Sequence, residues 1–177
     1  SLDSIRYQKS FLRVGFMSMD PNTGHVKAYV GGPDFTHFQY DMASVGRRQI
    51  GSTVKPFLYT LAMEEGFTPC DMFLNEQPTL ITEDGKPWSP RNSSKARVGE
   101  MVSLRWGLAN SNNWISARLM DKLSPSSLAR LMHSFGIKNK IDEVISLCLG
   151  PVEVSVEEMV TAYTAFSNKG VRVDPLY

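Results

Sequence analysis

Between Gly51 and Gly66, the apolar residues Val54, Phe57, Leu58, Leu61 and Ala62 recur at helical spacing on one face. That spacing predicts a helix over about 52–65, with one side committed to the core and Gly66 as its stop. Everything else must pack around it. Its first turn carries Ser52 and Lys55, three residues apart and therefore on one face. Gly51 permits a sharp entry, and the first N–H groups of a helix carry partial positive charge suited to a developing oxyanion. A serine placed there is a candidate nucleophile that needs a base. A partly desolvated Lys55, whose neutral form burial favours, can accept its proton. Pro56 disfavours helical angles at Lys55, a conflict of the kind found where function overrides folding. The competing reading is that Ser52 caps a core helix and Lys55 is solvated, because a bare S-x-x-K is common.

Ahead of this helix, strands are expected at about 11–19 and 25–30, joined by Asp20-Pro-Asn-Thr-Gly24. Proline suits a type I turn there and Gly24 a left-handed position after it. In the second strand His25, Lys27 and Tyr29 face one way and Val26, Ala28 and Val30 the other, as a half-buried antiparallel sheet requires. Residues 34–43 read as a loop, and His37 within it lacks metal-site spacing. Pro69, Pro78, Pro87 and Pro90 with Asp84-Gly85 make 68–92 a run of extended segments and turns. Within it, Trp88-Ser-Pro-Arg-Asn92 is a candidate groove lining, with Trp88 as a core plug the alternative.

A helical region is expected over about 103–170. Ser103 caps its first helix, which breaks at Ser111-Asn-Asn113 before a second one. The break is the second candidate site, since a hydroxyl and a carboxamide two residues apart can point into one cleft. Ordinary capping explains the same residues equally well. Ser124-Pro125 opens the next helix, with Leu128, Leu131, Met132 and Phe135 as its stripe. Ser155-Val-Glu-Glu158 is a capping box before a last helix expected to bury Met159, Val160, Tyr163 and Phe166. Val171 to Tyr177 reads as the start of a strand.

The length of 177 residues corresponds to one domain, 1–177, able to bury a core without staples. Nineteen basic and eighteen acidic residues leave a net charge of +1, which gives no footprint for nucleic acid. No stretch reaches membrane-span length, and the opening residues lack the regions of a signal peptide. No cofactor or metal pattern is present. Cys70 and Cys148 have no metal-ligand spacing, leaving buried free thiols or a disulfide.

Taken together, Ser52-Thr-Val-Lys55 and Ser111-Asn-Asn113 resemble the penicilloyl-serine transferases, in which S-x-x-K, S-x-N and K-T-G meet in one cleft. The transpeptidase domain of class A penicillin-binding proteins is the nearer resemblance. Arg48-Gln-Ile-Gly-Ser-Thr-Val-Lys-Pro-Phe is similar to its R-Q-P-G-S-x-x-K-P-F, and Gly107-Leu-Ala-Asn-Ser-Asn-Asn to its A-L-A-x-S-x-N. Asp20 to Gly24, Trp88 to Asn92, and Leu149-Gly-Pro-Val-Glu-Val to Asn168-Lys-Gly170 follow the same order along nearly the whole chain.

The resemblance implies an α+β fold of the serine β-lactamase/DD-transpeptidase kind, an antiparallel sheet packed with helices, here incomplete. It implies a D-Ala-D-Ala transpeptidase that cross-links peptidoglycan stem peptides outside the cytoplasmic membrane and is acylated by β-lactam antibiotics. Ser52 would be the nucleophile, Lys55 its base and Ser111 the proton relay, with Asn113, Trp88 and Asn92 binding substrate and no cofactor. A parent carrying a glycosyltransferase domain and a membrane anchor is implied too. The 177 residues contain no K-T-G, so they are expected to be a truncated, nearly inactive portion with an exposed sheet edge. A serine β-lactamase or a β-lactam-sensing receptor domain would share the motifs.

Overall fold

The computed structural model describes residues 2–37 and 39–177. In chain order its elements begin with α1 (Leu2–Ser10), β1 (Phe16–Met19), β2 (Val26–Val30) and β3 (Arg47–Gln49). A 3-10 turn at Gly51–Val54 leads into α2 (Lys55–Glu64), followed by β4 (Met72–Leu74), β5 (Leu80–Ile81), β6 (Pro87–Trp88) and β7 (Met101–Ser103). Next come α3 (Leu104–Ala109), α4 (Asn113–Lys122), α5 (Pro125–Ser134), a second 3-10 turn (Ile145–Leu149), β8 (Glu153–Ser155) and α6 (Val156–Ser167). Two compact units result. The first comprises Ser1–Arg48, Phe135–Lys138 and Val154–Tyr177; the second, Gln49–Ser134 and Asn139–Glu153. None of the described helices is long and apolar enough to cross a membrane.

In the first unit β1 and β2 form an antiparallel hairpin, with Met17 opposite Tyr29 and Phe16 opposite Val30. Asp20 shapes its turn: the Oδ1 atom accepts the Asn22 N–H at 2.8 Å, and Gly24, at φ 80°, donates to the Asp20 carbonyl at 2.9 Å. The sidedness holds at the start of β2, where Val26 is half-buried and Lys27 exposed, and fails towards its end. Met17 is buried and Tyr29 half-buried, whereas Ala28 and Val30 are exposed. Tyr29 turns inward because its hydroxyl has a partner there, Asp41 Oδ2 at 2.6 Å. The first strand is also shorter than 11–19, beginning at Phe16 after α1 and an irregular stretch. At the C-terminal end, a single parallel bridge joins His25 and Leu176.

The capping box forms, with Ser155 Oγ accepting the Glu158 N–H at 3.1 Å and Glu158 Oε2 accepting that of Ser155 at 3.2 Å. Its helix, α6, buries Thr161, Ala162, Thr164 and Ala165 rather than the large residues expected. Small side chains let α6 approach β1, and the larger rings of Tyr163, Phe166 and Phe135 pack on one another beside it, with centroids 5.2–5.3 Å apart.

The second unit is built on α2, which buries Phe57, Leu58, Tyr59, Leu61 and Ala62 against α4 and α5. Leu128, Ala129 and Met132 of α5 and Ile115, Leu119 and Met120 of α4 are the facing core. The 68–92 segment supplies β4, paired antiparallel with β7, and a small hairpin of β5 and β6 in which Leu80 faces Trp88. Both cysteines are free thiols; Cys148 is buried, but Cys70 is exposed, since it lies in the irregular stretch before β4.

Candidate active site

Ser52 lies not on the α-helix itself but in the 3-10 turn that precedes it. That turn is tighter than an α-helix, so residues three apart lie in line, and the Lys55 N–H donates to the Ser52 carbonyl. Ser52 is exposed and Lys55 is 1% exposed, so the serine lies at the surface while the lysine side chain runs inward. Lys55 adopts α-helical angles, φ −58° and ψ −40°, although proline follows it. The surrounding fold therefore overrides the local preference. The expected free N–H groups at the helix start are partly spent: Gly51 donates to the Gly150 carbonyl at 3.0 Å and Thr53 to that of Ile50 at 3.2 Å.

A segment far along the chain sets the entry to this turn. Ile50 N–H donates to the Val152 carbonyl at 3.1 Å, beside the Gly51 to Gly150 bond. Gly150 has φ 71°, and a β-carbon there would stand 2.2 Å from the Gly51 carbonyl oxygen. Only glycine fits that approach.

Lys55 Nζ reaches three oxygens: the Ser111 carbonyl at 2.6 Å, Asn113 Oδ1 at 2.7 Å and Ser111 Oγ at 3.0 Å. The carbonyl and the carboxamide oxygen can only accept, so they take two N–H groups. A neutral amine then has one lone pair left for a hydroxyl, and an ammonium has one more N–H; both states fit. Burial shifts the balance towards the neutral form, lowering the Lys55 pKa from 10.5 to about 8, so the ammonium still predominates at neutral pH and the free amine above about pH 8. Buried Cys148 is close enough to interact with the amine, and burial holds its thiol protonated, with the pKa pushed up to about 12. The neighbour beneath the amine is therefore uncharged.

Ser111 is one of the few residues other than glycine with positive φ, 49°. That angle costs a β-carbon-bearing residue about 1–3 kcal/mol and persists only where surrounding contacts impose it. The contacts are visible. Asn112, 2% exposed, caps α4 by accepting the N–H groups of Trp114 at 2.9 Å and Ile115 at 3.0 Å. Asn113 N–H donates to Asn92 Oδ1 at 3.1 Å, and its Nδ2 to the Arg91 carbonyl at 2.8 Å. Trp114 Nε1 donates to the Pro90 carbonyl at 3.0 Å.

Of the residues singled out in the sequence, Lys55, Ser111, Asn113 and Asn92 thus form one hydrogen-bonded cluster, and Ser52 lies one turn from Lys55. Both ends of the Asn92 carboxamide are engaged within the protein, Nδ2 with the Ser94 carbonyl at 3.1 Å. Trp88 is half-buried in the β5–β6 hairpin. Sequence reasoning passed over Asn75 and gave Asn112, Cys148 and Gly150 no role in the site. Asn112 stood inside a quoted motif and Gly150 beside a proline, but nothing local distinguishes Asn75 from any loop asparagine.

The family described as "Penicillin binding protein transpeptidase domain" matches residues 14–177. The chain is 37% identical over 161 residues to penicillin-binding protein 1A of Rickettsia conorii, covering 90% of this chain and 20% of that protein. To penicillin-binding protein 2D of Bacillus subtilis it is 34% identical over 169 residues, covering 95% and 24%. The crystal structure of penicillin-binding protein 1A from Haemophilus influenzae superposes with a TM-score of 0.85 at 29% identity, covering 92% of this chain and 24% of that one. The chain spans about a fifth to a quarter of the length of these relatives.

Proposed function

The chain belongs to the penicillin-binding-protein transpeptidase domain family, and on that premise we propose that it carries the acylation site of a serine D-Ala-D-Ala transpeptidase acting on peptidoglycan stem peptides. The single observation that supports the chemistry is the buried Lys55 amine, bonded to Ser111 and Asn113 and one 3-10 turn from the exposed Ser52.

In this reading neutral Lys55 takes the Ser52 proton as Oγ attacks the penultimate D-alanine carbonyl. A bond forms between Oγ and the carbonyl carbon. The amide C–N bond then breaks, and the proton passes through the Ser111 hydroxyl to the departing D-alanine nitrogen. An amine from a neighbouring stem peptide attacks the ester, forms the new amide and returns the oxygen to Ser52, whose proton comes back through the same groups. A β-lactam follows the first half alone, and its leaving nitrogen stays tethered to the acyl group.

Asn113 donates and accepts beside this path, so its carboxamide is proposed to meet the substrate backbone, with Asn92 orienting Asn113; a groove-lining role for Trp88 rests on the family resemblance alone. The 177 residues hold no K-T-G triplet, so one oxyanion donor is expected to be missing and acylation to run roughly a hundred to a thousandfold slower than in a chain that supplies it. The family resemblance extends the proposal to a parent with a glycosyltransferase domain and a membrane anchor, working on the outer face of the cytoplasmic membrane.

The test is release of D-alanine from a D-Ala-D-Ala-ended pentapeptide in the presence of an amine acceptor, with the K-T-G strand supplied. Release coupled to a new amide, and abolished in Ser52→Ala, supports the proposal. Sustained hydrolysis of a chromogenic cephalosporin would point instead to a β-lactamase.

A further inference from the structure

Asn75 is fully buried and lies 37 positions from its partner Asn112, whose Nδ2 donates to Asn75 Oδ1 at 2.8 Å. Every other group on both residues is used in a way that fixes the direction of this bond. Asn112 Oδ1 already accepts two backbone N–H groups at the start of α4, so its amide nitrogen must face Asn75. Asn75 therefore presents its oxygen to Asn112, and its own Nδ2 donates to the carbonyls of Ala96 and Arg97, both at 2.9 Å. Its backbone is bound to the same stretch: the Asn75 N–H donates to the Glu100 carbonyl at 2.9 Å, and the Gly99 N–H to the Asn75 carbonyl at 3.0 Å. Asn75 is thus clamped to residues 96–100 from four sides, with a single side-chain acceptor aimed at the middle of the Ser111–Asn113 turn.

Asn112 is clamped in turn. Its N–H donates to the Gly107 carbonyl at 2.9 Å, and its carbonyl accepts the Ser116 hydroxyl at 2.9 Å. With Asn112 fixed, the preceding residue has little freedom left, and that residue is Ser111 at its left-handed φ of 49°. This geometry turns both the Ser111 carbonyl and its hydroxyl onto Lys55.

We propose that Asn75 is a positioning residue for the acylation site: through Asn112 it holds Ser111 in its strained conformation and so keeps the Lys55 amine bonded and dry. The inference rests on the reading of Lys55 as the base. Asn75 touches no reacting atom. Its role is to fix the turn that does, by tying it to the 96–100 stretch rather than leaving it to the α4 cap alone.

The experiment compares Asn75→Ala and Asn75→Asp in the whole chain, with two readouts. The first is the titration midpoint of Lys55, followed by NMR on lysine-labelled protein. The second is the rate of covalent labelling by a fluorescent penicillin, per folded molecule. In Asn75→Ala the turn relaxes and water reaches the amine, so the midpoint is expected to climb from about 8 towards 10.5, with labelling slowed at least tenfold. Asn75→Asp keeps the oxygen that faces Asn112 but loses both N–H donors to the Ala96 and Arg97 carbonyls and sets an oxygen against them, so its midpoint is expected to climb as well. Met132→Ala, a core change in α5, controls for lost stability and should leave both readouts unchanged in the folded fraction. Should Asn75→Ala not fold, Asn75→Ser takes its place.

A Lys55 midpoint that stays at the parent value in the folded Ala or Ser variant overturns the proposal. If the parent chain is never labelled even with the K-T-G strand supplied, yet the midpoint moves as expected, the positioning role stands and the transpeptidase reading falls.

Discussion

Lys55 Nζ lies 2.6 Å from the backbone carbonyl oxygen of Ser111, a residue 56 positions away whose φ is 49°. A strained backbone thus meets a buried amine. Strain of this kind is retained where the fold imposes it, and here what it delivers is two oxygens onto one nitrogen. The serine at this position serves the amine at the cost of local comfort.

Ser111→Gly separates those two effects. Glycine adopts a positive φ without penalty, so the variant should be as stable as the parent or up to about 1 kcal/mol more so. It also removes the hydroxyl of the proposed proton relay, and labelling by a fluorescent penicillin should slow by roughly a hundredfold or more. Urea unfolding and timed labelling check the two halves. Ser111→Ala should lose the same rate with no gain in stability.

The pH dependence follows from Lys55, whose pKa burial lowers from 10.5 to about 8. The folded protein releases this proton before the unfolded chain does. Between about pH 8 and 10.5 the unfolded chain binds more protons, so this group makes stability rise with pH across that window. Below it both states are protonated and the effect is constant. Labelling should accelerate from pH 6 and level off above the same midpoint near 8. A rate already flat from pH 6 to 9 would show that a neutral Lys55 is not required.

Gly150→Ala probes the distant segment that holds the entry to Ser52. The new methyl group would stand 2.2 Å from the Gly51 carbonyl oxygen, at φ 71°. The left-handed angle alone costs about 1–2 kcal/mol, and the contact adds to it. A lower urea midpoint together with slower labelling per folded molecule is the expected outcome. Gly66→Ala offers the contrast: its φ is also positive, 94°, but its β-carbon would meet nothing within 4 Å, so it should lose stability by the angle alone and keep its labelling rate.

The sequence made the second unit more legible than the first, and the reason is physical. The α2 stripe, the Ser103 cap and the break at residues 111–113 are local signals, written within a turn or two of chain. The capping box of α6 was legible for the same cause, but not the face that the helix buries. There small residues decide, because close approach to β1 favours Ala162 and Ala165 over Met159 and Val160. Strand alternation misled at Tyr29, where an acceptor at Asp41 draws the ring inward. In the proposed site, Ser52, Lys55, Ser111 and Asn113 were singled out by motif spacing. Asn75 and Gly150 were not, since each matters only through a partner brought near by folding.

The central claim is that Lys55, held by Ser111 and Asn113, activates the hydroxyl of Ser52. Its most direct test is the intact mass of the chain after long incubation with benzylpenicillin, followed by peptide mapping. A mass gain of one whole penicillin on the peptide containing Ser52, absent in Ser52→Ala and in Lys55→Met, is the predicted result. An adduct that persists in folded Lys55→Met, or one that maps to another residue, would contradict it.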